Sequence, residues 1–215
     1  MFKTVLAAAL FTAGSAFAAG NIVVDGSFES VNQGAGTYGY YPAGVAGWTV
    51  SSGPSVEVRN ALVGNAEDGS NFVELDSTSN SGISQALATV AGRTYTLSFY
   101  YSNRAQDNGY NSRFAGGIVP AGSQGLTYDV GGGAVAVAAL PADTTTDNQW
   151  AHYTTTFTAS GPTTLTFDAT GTSDSWGSSL DNIEVSAVPE PAPLALMGAG
   201  LLVVAGLARR RRDQA

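Results

Sequence analysis

Thr94-Tyr95-Thr96-Leu97-Ser98-Phe99 alternates polar and apolar residues without a break: Tyr95, Leu97 and Phe99 fall on one side, Thr94, Thr96 and Ser98 on the other. A period of two sends successive side chains to opposite faces of an extended chain, so this is a strand with one wet and one buried face. The alternation returns in residues 164–168, which bury Leu165 and Phe167, at Tyr153, Thr155 and Phe157, and at Ile183 and Val185. Half-buried strands of this kind pair antiparallel. Shorter strand candidates are residues 22–24, 48–50, 56–58, 72–75, 83–88 and 126–130. Turn-forming clusters separate them, among them residues 32–36, Asp68-Gly69-Ser70-Asn71 and Gly131-Gly132-Gly133. No soluble amphipathic helix of three turns competes, and the pattern predicts an all-β sandwich of two sheets, a jelly roll.

The two ends read differently. Lys3 is followed by an apolar stretch from Val5 to Phe11 and by Ala16-Phe17-Ala18, the layout of a secretory signal peptide cleaved before Ala19. Residues 192–208 carry no charge and run straight into Arg209, Arg210, Arg211 and Arg212. A helix of about 17 apolar or small residues, at about 1.5 Å each, is at the lower limit for crossing a hydrocarbon core of about 30 Å. Pro193 falls in its first turn, where a missing N–H costs little. Arginines stay on the cytoplasmic side, which places everything from Ala19 to Pro189 across the membrane. The expected organisation is a signal peptide (1–18), a β-sandwich ectodomain (19–187) and a C-terminal segment (188–215) with a transmembrane helix.

The whole sequence has a formal net charge of −8. In the ectodomain only Arg59, Arg93, Arg104 and Arg113 face fifteen carboxylates, a net charge of −11. That excludes a nucleic-acid or anionic-lipid binder and leaves solubility, cation binding or contact with neutral glycans. The chain has no cysteine, so disulfides, thiolate metal sites and thiol nucleophiles are excluded. Stability rests on a hydrophobic core, which about 170 residues suffice to build.

Val188-Pro189-Glu190-Pro191, then an apolar helix, then an arginine cluster, resembles the PEP-CTERM sorting signal of exopolysaccharide-producing Gram-negative bacteria. The resemblance implies that an exosortase, a membrane-embedded cysteine transpeptidase-like enzyme, recognises Pro189, Glu190 and Pro191 and removes the helix and arginines. The protein would then be held transiently at the inner membrane and end at the cell surface or in the extracellular matrix. Taken alone, Pro-Glu-Pro also reads as a stiffened, extended linker.

A second resemblance spans the ectodomain. The run from Asn21 to Glu29 (NIVVDGSFE), Gly47-Trp48-Thr49-Val50, Asp68-Gly69, Val73-Glu74-Leu75-Asp76 and Leu180-Asp181-Asn182-Ile183 are similar to motifs of galactose-binding-like jelly rolls. That group includes the choice-of-anchor surface domains of bacteria and a related plant cell-wall domain. Such modules commonly bind glycans and often hold a structural calcium ion where first and last strands meet. The matching positions are Asp25, Glu29 and Asp181, all oxygen donors suited to a hard cation. Structural calcium or plain turn capping accounts equally for these carboxylates.

A glycan site needs aromatic faces and planar hydrogen-bonding groups. Tyr38, Tyr40 and Tyr41 in a Gly-rich loop, Arg104, Asp107, Asn108 and Tyr110 in a second loop, and Trp176 as the more exposed tryptophan are the candidates. The alternative is that the tyrosines cover core edges. Trp48 and Trp150 open strand patterns and read as core. The one histidine, His152, lies opposite Tyr153 and Phe157 on its strand, and the sequence contains no Gly-x-Ser-x-Gly elbow, so a Ser-His-Asp hydrolase lacks support. With fifteen carboxylates, a glycosidase-like pair would arise by chance. The reading is a non-catalytic surface or matrix protein associated with extracellular polysaccharide. A purely structural matrix or adhesion protein is the rival, and a glycan hydrolase a distant third.

Overall fold

The alternating segments pair as their period demands, in a computed structural model that describes residues 20–107 and 114–189, together with Gly200 and Arg209. The described residues form eleven strands: β1 (Thr37–Tyr41), β2 (Thr49–Ser52), β3 (Val56–Asn60), β4 (Asn71–Glu74), β5 (Gly82–Leu87), β6 (Thr94–Ser102), β7 (Leu126–Asp129), β8 (Val135–Ala136), β9 (Ala151–Thr158), β10 (Thr163–Ala169) and β11 (Ser179–Ala187). They form a six-stranded sheet, β1-β3-β4-β11-β6-β9, and a five-stranded sheet, β2-β5-β10-β7-β8. Every pairing is antiparallel. The fold is an all-β sandwich.

The apolar half of each alternation faces the other sheet. Leu97 and Phe99 of β6, Val58 of β3 and Val73 of β4 are fully buried, as are Ile83, Leu165 and Phe167 from the second sheet. Phe99 meets Phe167 edge to face, with ring centroids 5.0 Å apart, and Trp48 closes the core beside Phe28 and Phe167. Burying such side chains supplies the driving force, at roughly 1.5–3 kcal/mol each.

Two expectations shift. Residues 37–41, read as a Gly-rich loop, form strand β1, which pairs with β3 along its whole length. Tyrosine fits a pleated, half-covered surface well, and that preference outweighs the glycine within the run. Residues 22–24, read as a strand, join no ladder. The Ile22 amide donates to the Val185 carbonyl of β11, and the Val24 amide to Gln85 of β5, so this segment links the two sheets.

The segment after it meets β11. The Gly26 carbonyl accepts from the Ile183 amide at 3.0 Å, and a Cβ at position 26 would lie 2.0 Å from the Ile183 oxygen. The register of β11 on β6 shifts between Asp181 and Glu184, where Asn182 has a φ of 46°.

Residues 20–187 make one compact unit; residues 1–19 and 188–215 are assigned to another. Among the described residues no helix is long and apolar enough to cross a membrane. The expected signal peptide (1–18) lies outside the described residues, as does the expected spanning helix (192–208) apart from Gly200.

Candidate functional site

On the side of the six-stranded sheet turned away from the core, register builds two rows. Tyr40 lies opposite Glu57, Glu57 opposite Glu74, Glu74 opposite Ser179 and Ser179 opposite Ser102. In the neighbouring row Tyr38 lies opposite Arg59, and Arg59 opposite Phe72. An outer face would ordinarily leave its charges wet, yet Glu57, Arg59 and Glu74 are all buried. The β3–β4 loop, Arg104 and the loop before β11 close over them. They leave a cavity of about 160 Å³ lined by Tyr38, Tyr40, Glu57, Arg59, Leu62, Val63, Arg104, Ser175 and Trp176.

Inside it the charges are paired. Arg59 Nε donates to Glu57 Oε1 at 2.6 Å, its Nη2 pairs with Glu74 Oε2, and Arg104 Nη1 reaches the same oxygen at 2.7 Å. The Gly177 amide occupies Glu74 Oε1 at 2.6 Å. Burial pushes the Glu74 carboxyl up, to about 7, against the pull of both guanidiniums. Burial also works against the charge on Arg59, but Glu74 and Glu57 outweigh it and raise that group's pKa. Burial and the neighbouring Arg59 lower that of Arg104. Two donors remain buried without a hydrogen-bond partner, Arg59 Nη1 and Arg104 Nε. An orphaned buried donor is uncommon and marks a place where a ligand or water belongs.

The rim is aromatic and strained. Tyr38 and Tyr40 are 41% and 44% exposed and meet edge to face at 5.4 Å. Burial, then the Glu57 charge, raises the Tyr40 phenol to about 12, so its hydroxyl stays a donor over the physiological range. Val63 and Ser175, both in the cavity wall, have φ values of 53° and 71°. For a β-branched residue such as Val63 that is a true outlier, and strain of this kind gathers at binding sites.

Four of the eight candidate glycan residues thus come together: Tyr38, Tyr40, Arg104 and Trp176. Tyr41 points to the other face of β1, its hydroxyl donating to Gln33 at 3.1 Å. Asp107 is buried beyond the cavity lining, its amide bonded to the Gly117 carbonyl. Asn108 and Tyr110 lie outside the described residues. Trp176, expected to be exposed, is 6% exposed: the Arg104 guanidinium covers its ring at 4.5 Å and Phe114 meets it edge to face at 5.5 Å. It is wall, not platform. Glu57, Arg59 and Glu74 were missed in the sequence. The clue available was Val56-Glu57-Val58-Arg59, a strand that sets charges opposite valines.

Asp25, Glu29 and Asp181 cap backbone amides. Asp25 accepts from the Ser30 amide and hydroxyl, Glu29 Oε1 from the Ser70 and Asn71 amides, and Asp181 from the Glu67, Asp68 and Asn182 amides. Among the described residues no three acidic or histidine side chains gather to hold a metal ion. His152 is exposed and stacks on Tyr100 at 4.7 Å, outside the cavity lining. Trp150 is half-buried, edge to face with Phe72 at 5.9 Å.

The profile of the PEP-CTERM protein-sorting motif matches residues 187–212, so the chain carries the sorting signal of an exported protein directed to the cell envelope. No curated protein matches the chain. Solved structures similar to it include TmCBM61 in complex with β-1,4-galactotriose, at 15% identity over 78% of this chain and 99% of that one, with a TM-score of 0.49. A CBM35 from Paenibacillus barcinonensis aligns at 20% identity over 71% of this chain and 100% of its own, with a TM-score of 0.40. A family 35 carbohydrate binding module from Clostridium thermocellum aligns at 17% identity over 69% and 97%, with a TM-score of 0.37.

Proposed function

We propose that the sandwich is a non-catalytic glycan-binding module of the jelly-roll, galactose-binding-like kind, presented at the cell surface or in the extracellular matrix. The observation that carries this is the cavity behind Tyr38 and Tyr40. Two exposed aromatic rings stand over buried guanidinium donors with unfilled hydrogen-bonding capacity, beside the Glu57 carboxylate. Aromatic faces take the apolar side of a sugar ring, and planar polar groups fix its hydroxyls. Arg59 and Arg104 balance Glu57 and Glu74, so the site suits a neutral polyhydroxyl ligand. Both oxygens of Glu74, the carboxylate beside Glu57, are engaged by Arg59, Arg104 and the Gly177 amide, which argues against a free general acid there. Delivery follows from the tail: an exosortase cuts at Pro189-Glu190-Pro191, ending a transient inner-membrane stage and releasing or transferring the module.

The test is a glycan array probed with residues 20–187, with calcium and with chelator, beside the Tyr38→Ala/Tyr40→Ala variant. The wild type should bind a neutral glycan, and the variant, still folded, should lose about 2–4 kcal/mol of that affinity. Silence of a folded wild type across the array would reject the reading. Dependence on calcium would show a bound cation contributing.

A further inference from the structure

Strand β9 ends the six-stranded sheet and pairs on one side only, with β6. Its eight residues, AHYTTTFT, contain no proline, no glycine, no acidic residue, no lysine and no arginine. The other free edges are shorter: five residues in β1, four in β2 and two in β8. Long, flat, uncharged edges are what proteins normally avoid, by charge, proline, bulges or cover, because unclaimed amides and carbonyls recruit another strand. Among the described residues nothing hydrogen-bonds to the outward edge of β9. Its outer face shares this neutrality, with Thr94 opposite Thr158, Thr96 opposite Thr156 and Ser98 opposite Thr154. On an ectodomain of net charge −11, two copies would meet here with the least repulsion.

We infer that β9 is a self-association edge, where a second copy of this chain adds its own β9 antiparallel across a two-fold axis. Such an axis keeps the outer faces of both sheets on the same side, so residues of like parity must pair. Two registers give the greatest overlap, centred on Thr154 or on Thr155, and only the second brings the half-buried aromatics together, with Thr155 opposite Thr155 of the second copy. That register sets Tyr153 against Phe157 of the second copy, and the reverse, and Thr154 against Thr156. Tyr153 and Phe157 are only half-buried in one chain, stacked on Phe99 and Tyr95 at 5.0 and 5.6 Å. Cross-strand aromatic pairing would cover them. The arrangement is isologous and closes as a dimer rather than a fibre.

The chain has no cysteine, so Thr155→Cys introduces the only thiol. Directly opposed residues of antiparallel strands have Cα atoms about 4.5–5.5 Å apart, within the reach of a disulfide. Using residues 20–187, which are compact by themselves, mild oxidation should convert Thr155→Cys to a reducible dimer while Thr166→Cys, in the middle of the other sheet, stays monomeric. By sedimentation, Thr154→Lys/Thr156→Lys should weaken association at least about tenfold. Thr154→Lys/Thr156→Glu, which sets opposite charges across the same register, should restore it. Circular dichroism checks that each variant is folded. A wild type that stays monomeric at all concentrations overturns the inference. So does a dimer indifferent to the lysine pair, which would place the interface elsewhere.

Discussion

Arg104 was a candidate for touching a ligand, and it also holds the site together. Its guanidinium shares Glu74 Oε2 with Arg59 and covers Trp176. Removing it leaves a buried carboxylate with one cation fewer and an uncovered tryptophan face, a loss on the order of 3–5 kcal/mol. Arg104→Ala should therefore fail to bind because it is destabilised, with its urea midpoint falling sharply, whereas the Tyr38→Ala/Tyr40→Ala midpoint moves little. Asp181 gives a different handle. Burial raises its carboxyl from the usual range to about 7, opposed by the amides of Asp68, Asn182 and Glu67. Between its unfolded value near 4 and about 7 the folded state holds more protons than the unfolded one. Its contribution is therefore full at acid pH and lost as pH rises through about 7. Melting temperature measured from pH 5 to pH 8 should fall with pH, and Asp181→Asn should flatten that slope.

At the scale of elements, what could be read in advance was what local periodicity encodes. Residues 94–99 and 164–168 form the strands their alternation predicts, and Phe99 and Phe167 meet in the core. β1 was hidden because Thr37-Tyr38-Gly39-Tyr40-Tyr41 places aromatics on both faces, which erases the alternation. The charged floor was hidden for another reason: no local pattern reveals that the β3–β4 loop and the chain around Ser175 fold over an outer sheet face. Arg104 and Tyr38 are 66 positions apart, and the sheet order β1-β3-β4-β11-β6 brings them to one cavity. The Asp25-Gly26 and Asp181-Asn182 motifs, legible separately, owe their form to one contact. Gly26 passes so close to Ile183 that any side chain strikes backbone, and Gly26→Ala should cost on the order of 3 kcal/mol, read by chemical denaturation.

At the scale of the whole molecule, the sandwich and the sorting tail separate into different units, so delivery and recognition can be altered independently. Replacing Pro189, Glu190 and Pro191 with alanine should leave residues 20–187 folded and glycan-competent. The full-length form, with its C-terminal arginines, should accumulate in the membrane fraction, where mass spectrometry would identify it. The charged cluster under the tyrosines has a consequence for life outside the cytoplasm. Arg59, Glu74 and Arg104 clamp β3, β4 and the chain leaving β6 to one another, a buried tertiary cross-link beneath the tyrosines. Exported proteins commonly make such links by oxidation; this one forms without an oxidant or an isomerase, and thiols in the surroundings have nothing to reduce.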